Sequence, residues 1–187
     1  GAVDAWWQAH QRFGQLPWTL LLEPAIDLAA NGYRLSSSQL RWTRKDRDLL
    51  AQDPGAAATF LAAQSAVAGT VIKNPALARV LTVLAADGTD AFYRGAIAQA
   101  IVDYAAPLGS PLGLEDFAQH QSEWVEPITT TYRGHTVYEL PPNTQGLSVL
   151  QMLNLIEPYD IANLEPADYY HLMVEATKLA FCDRDRW

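Results

Sequence analysis

The stretch "ELPPNTQGLSVL", residues 139–150, brings together the residue types from which reactive turns are built. It follows an alternating run, with Thr136, Tyr138 and Leu140 on one face and Val137 and Glu139 on the other. It leads into apolar residues at helical spacing: Leu147, Leu150, Leu153 (or Met152) and Ile156. Strand, polar turn and helix start form a place where many enzymes hold a nucleophile or a phosphate. A nucleophile elbow needs Gly-x-Ser-x-Gly. Gly146 and Ser148 fit, but Leu150 replaces the second glycine, which lets strand and helix pack around a strained serine. A phosphate loop needs more glycines and a lysine before Ser or Thr, and no lysine is near. The residue pattern instead reads as a helix start, with Thr144 or Asn143 as cap and Gly146 letting the chain turn. Loops beside strand ends often carry function. Asn143, Gln145 and Gly146 therefore stand as candidates for lining a substrate cleft, and no catalytic residue is assigned.

Other groupings explain themselves without chemistry. His171, Glu175, Lys178 and Cys182 share one helical stripe, yet "HLMVE" lacks the second histidine of a zinc-protease helix. Glu175 before Lys178 is the ordinary polarity of a helical ion pair. No metal site is assigned. Asp183 to Arg186 read as an ion-pair network at a helix end. His10, His120 and His135 are scattered. Trp6, Trp7, Trp18, Trp42 and Trp124 fall mostly at helical core positions. No Gly-x-Gly-x-x-Gly occurs, so no cofactor is implied. Cys182 is the only cysteine, and no intrachain disulfide can form.

These groups need elements to hold them. The 187 residues suffice for one sizeable core, and 49% of them are hydrophobic. The net charge of -8, without a basic run, argues against nucleic-acid binding. No apolar stretch is long enough for a membrane helix. Helices are expected from Val3 to Gly14, from Trp18, and from Ala25 to a left-handed stop at Gly32. Another runs from a Ser36 or Ser37 cap to Pro54, and a short one covers "PGAAATFLAA". Asn74 caps the next, with Pro75 in its first turn and Gly88 as its stop. "DAFYRGAIAQAIVDYAA" repeats that logic, and a short helix follows "PLGSPLG". Arg133-Gly134, between two alternating runs rich in β-branched and aromatic residues, marks an antiparallel hairpin. Helices over 147–157 and 167–184 close the chain. The fold class is α+β, predominantly helical with a short β-hairpin. No linker divides it. The opening "GAVDAWWQAH" lacks methionine and signal character, and "AFCDRDRW" stops without a cap. The chain reads as a single fragment, residues 1–187, of something longer.

Four blocks in order carry a family resemblance. They are "GAVDAWWQAHQRFGQLPWTLLLEPAIDLAANGY", "NPALARVLTVLAADGTDAFYRGAIAQAIV", "YRGHTVYELPPNTQGLSVLQMLNLIEPYDI" and "HLMVEATKLAFCDRDRW". Together they resemble the large subunit of γ-glutamyltranspeptidases. Acylases that open β-lactam side-chain amides resemble the same family. Departures are small: Thr144 where glycine or serine is common, and Cys182 for an alanine.

The resemblance implies an N-terminal-nucleophile hydrolase with an αββα core. Such a precursor cuts itself into a large and a small subunit. The new N-terminal threonine of the small subunit attacks a γ-glutamyl amide such as glutathione, with its own α-amino group as base. Water or an amine acceptor then takes the γ-glutamyl group. The implied partners are the small subunit and a γ-glutamyl substrate. Neither the threonine nor the carboxylate-gripping arginine of the family is matched here, and Thr129, Thr130 and Thr131 lie inside a strand pattern. The resemblance leaves the location open: members of the family are commonly periplasmic or extracellular, and a cytoplasmic location is not assigned against. The rival reading is a non-catalytic helical binding module.

A large subunit without its partner leaves strand edges and apolar faces uncovered, which favours self-association. The 187-residue chain is expected to sediment as dimers or larger species and to bind a hydrophobic dye. A dye-silent monomer at high concentration would favour the binding module.

Overall fold

The structure is a computed structural model that describes residues 1–61 and 66–186. The last residues of the helix expected over "PGAAATFLAA" lie outside that range. The chain forms two compact units, residues 1–122 and 123–187.

The first unit is helical because its apolar residues recur at helical spacing and its ends carry caps. α1 (Ala2–Phe13), α2 (Trp18–Asn31) and α3 (Ser37–Lys45) follow one another, and Ser36 caps α3 by accepting from the Gln39 N–H at 3.1 Å. α4 (Arg47–Leu50) and α5 (Pro54–Ala56) are short, and α5 runs into one π turn, Ala57–Leu61. α6 (Pro75–Asp87) has Asn74 as cap, with Oδ1 accepting from Leu77 N–H at 3.0 Å, and stops at Gly88. α7 (Asp90–Tyr93), α8 (Ala96–Ala105) and α9 (Leu114–Ala118) complete the unit.

The core forms where α2 packs against α6. Val3, Leu22, Leu84 and Tyr93 are its buried centre, flanked by Trp18, Ile26, Val80, Leu81 and Ile97. The Trp18 indole N–H donates to the Leu84 carbonyl at 2.8 Å, so its polar edge is satisfied inside the apolar contact. Asp4 ties α1 to the end of the unit. Burial pushes its carboxyl up, but hydrogen bonding, chiefly from Ser122 at 2.7 Å, outweighs this and holds it below the usual range.

Three expectations change here. Pro24 does not divide two helices; α2 continues through it. An interior proline costs about 3 kcal/mol. Burying Leu22 and packing Ile26 on the core returns roughly 1.5–3 kcal/mol per fully buried side chain, so the unbroken helix prevails. The helix expected from Ser36 to Pro54 is interrupted at Asp46, which lies outside helical geometry. Trp6, Trp42 and Trp124 are 51%, 47% and 55% exposed, against their expected core placement, while Trp7 and Trp18 are half-buried. Trp42 sits under the Lys45 ammonium, 4.5 Å from the ring centroid, instead of in the core.

A small sheet went unread in the sequence. β1 (Tyr33–Arg34) pairs antiparallel with β2 (Val71–Ile72). Gly32 makes the approach: its φ is +105°, and a Cβ there would lie 2.5 Å from Val71 Cγ1.

In the second unit, β3 (Ile128–Tyr132) and β4 (His135–Glu139) form the expected hairpin, in the register Ile128↔Glu139 to Tyr132↔His135. Its two-residue turn has Arg133 at φ 50° and Gly134 at φ 78°, the pair of positive angles that suits the twist of the strands. The hairpin lies on α10 (Gly146–Ile156), which also packs on α11 (Pro166–Arg184). The Arg133 backbone N–H donates to the Glu157 carboxylate at 3.1 Å, and its guanidinium bonds the Tyr159 carbonyl. Ala176 and Ala180, both buried and one turn apart, let α10 approach α11 closely. Glu175 and Lys178 pair at 2.7 Å on the outer face, and the lysine hydrogen bond holds the carboxyl below its usual range.

Among the described residues no helix is long and apolar enough to cross a membrane. Leu84 is 2% exposed at the α2–α6 contact. Leu84→Ala is expected to destabilise the first unit by about 2–5 kcal/mol, read as a lower urea midpoint with an unchanged slope.

Candidate functional site

The strand–turn–helix stretch builds a cleft of about 570 Å³ in the second unit. Pro142, Asn143 and Thr144 of the turn form one wall. Leu147, Ser148 and Gln151 of α10, with Asp183 and Arg184 of α11, form the rest.

Local chemistry sets this shape. The Thr144 hydroxyl lies 3.0 Å from the Leu140 carbonyl and donates to it, closing the turn. The same oxygen lies 3.3 Å from the Gly146 N–H, a long contact that leaves α10 without a side-chain cap at its N-cap residue, Gln145. The expected Asn143 cap is absent. Gly146 serves a different purpose from the expected turn. Its φ is not positive; instead it is buried, and a Cβ there would lie 2.6 Å from the Leu140 carbonyl oxygen and 2.7 Å from Glu139 Cβ. The glycine is needed because the helix begins hard against the end of β4.

Asn143, Gln145 and Gly146 thus occupy three environments. Asn143 lines the cleft. Gln145 faces the end of α11, where its Oε1 lies 3.4 Å from Arg184 Nη1. Gly146 is covered by β4. Ser148, Asp183 and Arg184 also line the cleft. Among the described residues, the expected ion-pair network at the α11 end reduces to one pair, Arg184 with Asp185 at 2.7 Å. Asp183 Oδ2 accepts instead from Gln151 Nε2 at 3.2 Å. Nothing local in the sequence marks Asp183 and Arg184 as cleft residues, because 35 or more positions separate them from Ser148 and only packing of α11 on α10 joins them.

Ser148 is 3% exposed. No imidazole or amine lines the cleft to take its proton. A serine hydroxyl is a weak nucleophile without such a base, so the geometry supports binding here and not covalent attack. Among the described residues no three His, Cys, Asp or Glu side chains converge as metal ligands.

A family model described as Gamma-glutamyltranspeptidase matches residues 1–187. A glutathione hydrolase-like proenzyme of Bacillus subtilis is 41% identical over 99% of this chain and 36% of its own length. An acylase proenzyme of a Pseudomonas species is 37% identical over 98% of this chain and 34% of its own length. Among solved structures, the gamma-glutamyltranspeptidase of Pseudomonas nitroreducens superposes with a TM-score of 0.88 at 30% identity, covering 99% of this chain and 56% of that one. The chain spans about a third of the length of the curated relatives it matches.

Gly146→Ala is expected to cost about 1–3 kcal/mol, since the methyl group meets backbone on one side and β4 on the other. Thermal denaturation of the variant would measure it, and a melting temperature equal to that of the parent would show that helix and strand can separate freely.

Proposed function

The chain belongs to the gamma-glutamyltranspeptidase family, and on that premise we propose that it is the large-subunit segment of an enzyme that opens γ-glutamyl amides. Glutathione is the model substrate, and the γ-glutamyl group passes to water or to an amine. The observation that carries this reading is the family match along the whole chain, residues 1–187. The proenzyme names of its relatives support a precursor that is processed into two subunits.

The cleft chemistry agrees with a division of labour between subunits. No group that lines it is an activated nucleophile. On this reading the small subunit supplies the attacking threonine, and the free α-amino group takes the hydroxyl proton as the C–O bond forms. Backbone amides hold the oxyanion while the C–N bond breaks and the amine leaves with that proton. Water or an acceptor amine then attacks the acyl-enzyme. This chain contributes the helical layer, the β3–β4 hairpin and the polar junction between them. Asn143 and Gln145 are the residues of that junction set nearest a bound substrate; Gly146 acts through the position it gives α10.

A second reading has its own support. The Pseudomonas acylase proenzyme matches nearly as much of the chain at 37% identity. An acylase uses the same N-terminal nucleophile on a different side chain, so the difference lies in the substrate pocket and not in the reaction.

The full-length precursor carrying this chain is expected to cleave itself into two bands and then to release aniline from a γ-glutamyl anilide. The 187-residue chain alone is expected to release it at the buffer rate. Turnover by the isolated chain would overturn the division of labour. A precursor that cleaves itself, spares the anilide and opens a β-lactam side-chain amide would replace the first reading with the second.

A further inference from the structure

Five of the chain's 13 Lys and Arg residues lie within residues 34–47, where Asp46 is the only acid, although the whole chain carries a net charge of -8. Among the described residues none of the five forms an ion pair. Arg34 donates to the Gly69 carbonyl at 3.4 Å, and Arg41 and Lys45 lie over the Trp42 ring. That leaves Arg44 and Arg47. They are three positions apart, and Thr43 and Arg47 are four apart, so the three share one side of the chain as α3 passes into α4.

That side lines a cavity of about 40 Å³ in the first unit, whose apolar wall includes Leu35, Phe60 and Ile72. Arg44 gives Nη2 to the Ala66 carbonyl at 3.2 Å, which fixes its guanidinium and leaves its other donors open. The Arg47 guanidinium and the Thr43 hydroxyl enter no hydrogen bond among the described residues. No carboxylate among the described residues lines the cavity, and the adjoining sequence 62–65 contains no acid. Two guanidinium groups on one small cavity repel each other, and apolar walls strengthen that repulsion. An anion between them turns it into attraction. Guanidinium forks match the paired oxygens of an oxyanion, and a hydroxyl can donate to a third oxygen. The space would hold about three water molecules, which is the scale of one small oxyanion.

We infer that Thr43, Arg44 and Arg47 form a binding site for a doubly charged oxyanion of the phosphate class, either free or as the end group of a phosphate ester. Two guanidinium groups match two negative charges, so a monocarboxylate fits the site less well. The bound anion ties the α3–α4 junction to the wall formed by Phe60 and Ala66.

Inorganic phosphate titrated by calorimetry into the full-length protein is the probe. The titration runs above the second ionisation of phosphate, with chloride holding the ionic strength constant. Phosphate is expected to bind saturably, and acetate at least tenfold more weakly. Arg47→Gln is expected to raise the phosphate Kd at least tenfold, and Thr43→Val about threefold. Arg47 gives up no native contact, so the melting temperature of Arg47→Gln in chloride should equal that of the parent, while its rise on adding phosphate should be lost. Arg41→Gln removes a charge from the same helix outside the cavity and should leave the Kd within twofold. Glycerol 3-phosphate separates the two sources: a Kd within threefold of that of phosphate assigns the site to an ester end group, and binding at least tenfold weaker assigns it to the free anion. Absence of saturable phosphate binding overturns the site. So does a Kd within twofold of the parent in both Arg47→Gln and Thr43→Val, or an Arg41→Gln effect as large as that of Arg47→Gln, which would mark a diffuse attraction of the whole basic segment.

Discussion

The second unit depends on one close approach. Gly146 sits where a side chain would collide with the Leu140 carbonyl and with Glu139, so α10 can begin directly beneath the end of β4. From that contact the helix runs along both strands of the hairpin and reaches Glu157, whose carboxylate accepts the backbone N–H of Arg133 in the hairpin turn. The turn residue with positive φ is therefore held from outside the turn. α11 then closes on α10 through Ala176 and Ala180, where small side chains permit a short separation. The cleft is what remains between the polar turn and the end of α11.

The first unit solves a different problem. Its helices are short, and several are bounded by proline, glycine or a capping side chain. One extended contact, α2 on α6, holds Leu22 and Leu84 and orients Trp18. That contact is strong enough to carry an interior proline, Pro24, through the middle of α2. Local backbone preference and tertiary burial oppose each other there, and burial prevails because several apolar side chains act against one missing hydrogen bond. Elsewhere in the unit the two agree, as at the Asn74–Pro75 start and the Gly88 stop of α6.

The chemistry of the cleft follows from its neutral and charged groups together. A serine without a base is a poor nucleophile, and the Ser148 hydroxyl contributes only polarity to the cleft wall. Arg184 and Asp183 are neighbours in sequence and both reach the same space from the last turn of α11. The junction is therefore polar and of mixed charge. Large apolar side chains stay exposed in both units, among them Trp6, Phe13, Leu147 and Leu179.

Sequence alone determined most of the elements and the family. Caps, prolines and glycine stops are local, and the periodicity of apolar residues runs within each element, so α1, α6, the hairpin turn and the closing helices could be read directly. Four ordered blocks carried the family resemblance without reference to space. Tertiary structure decided what depends on distant pairs. It paired Tyr33–Arg34 with Val71–Ile72, two strands too short to leave a periodic signal. It kept α2 whole through Pro24, and it left Trp6, Trp42 and Trp124 at the surface. It gave Gly146 its reason, a clash with β4 that no turn rule contains. It also brought Asp183 and Arg184 to Ser148, because which face of α11 meets α10 is fixed by packing between helices and not by spacing along either one.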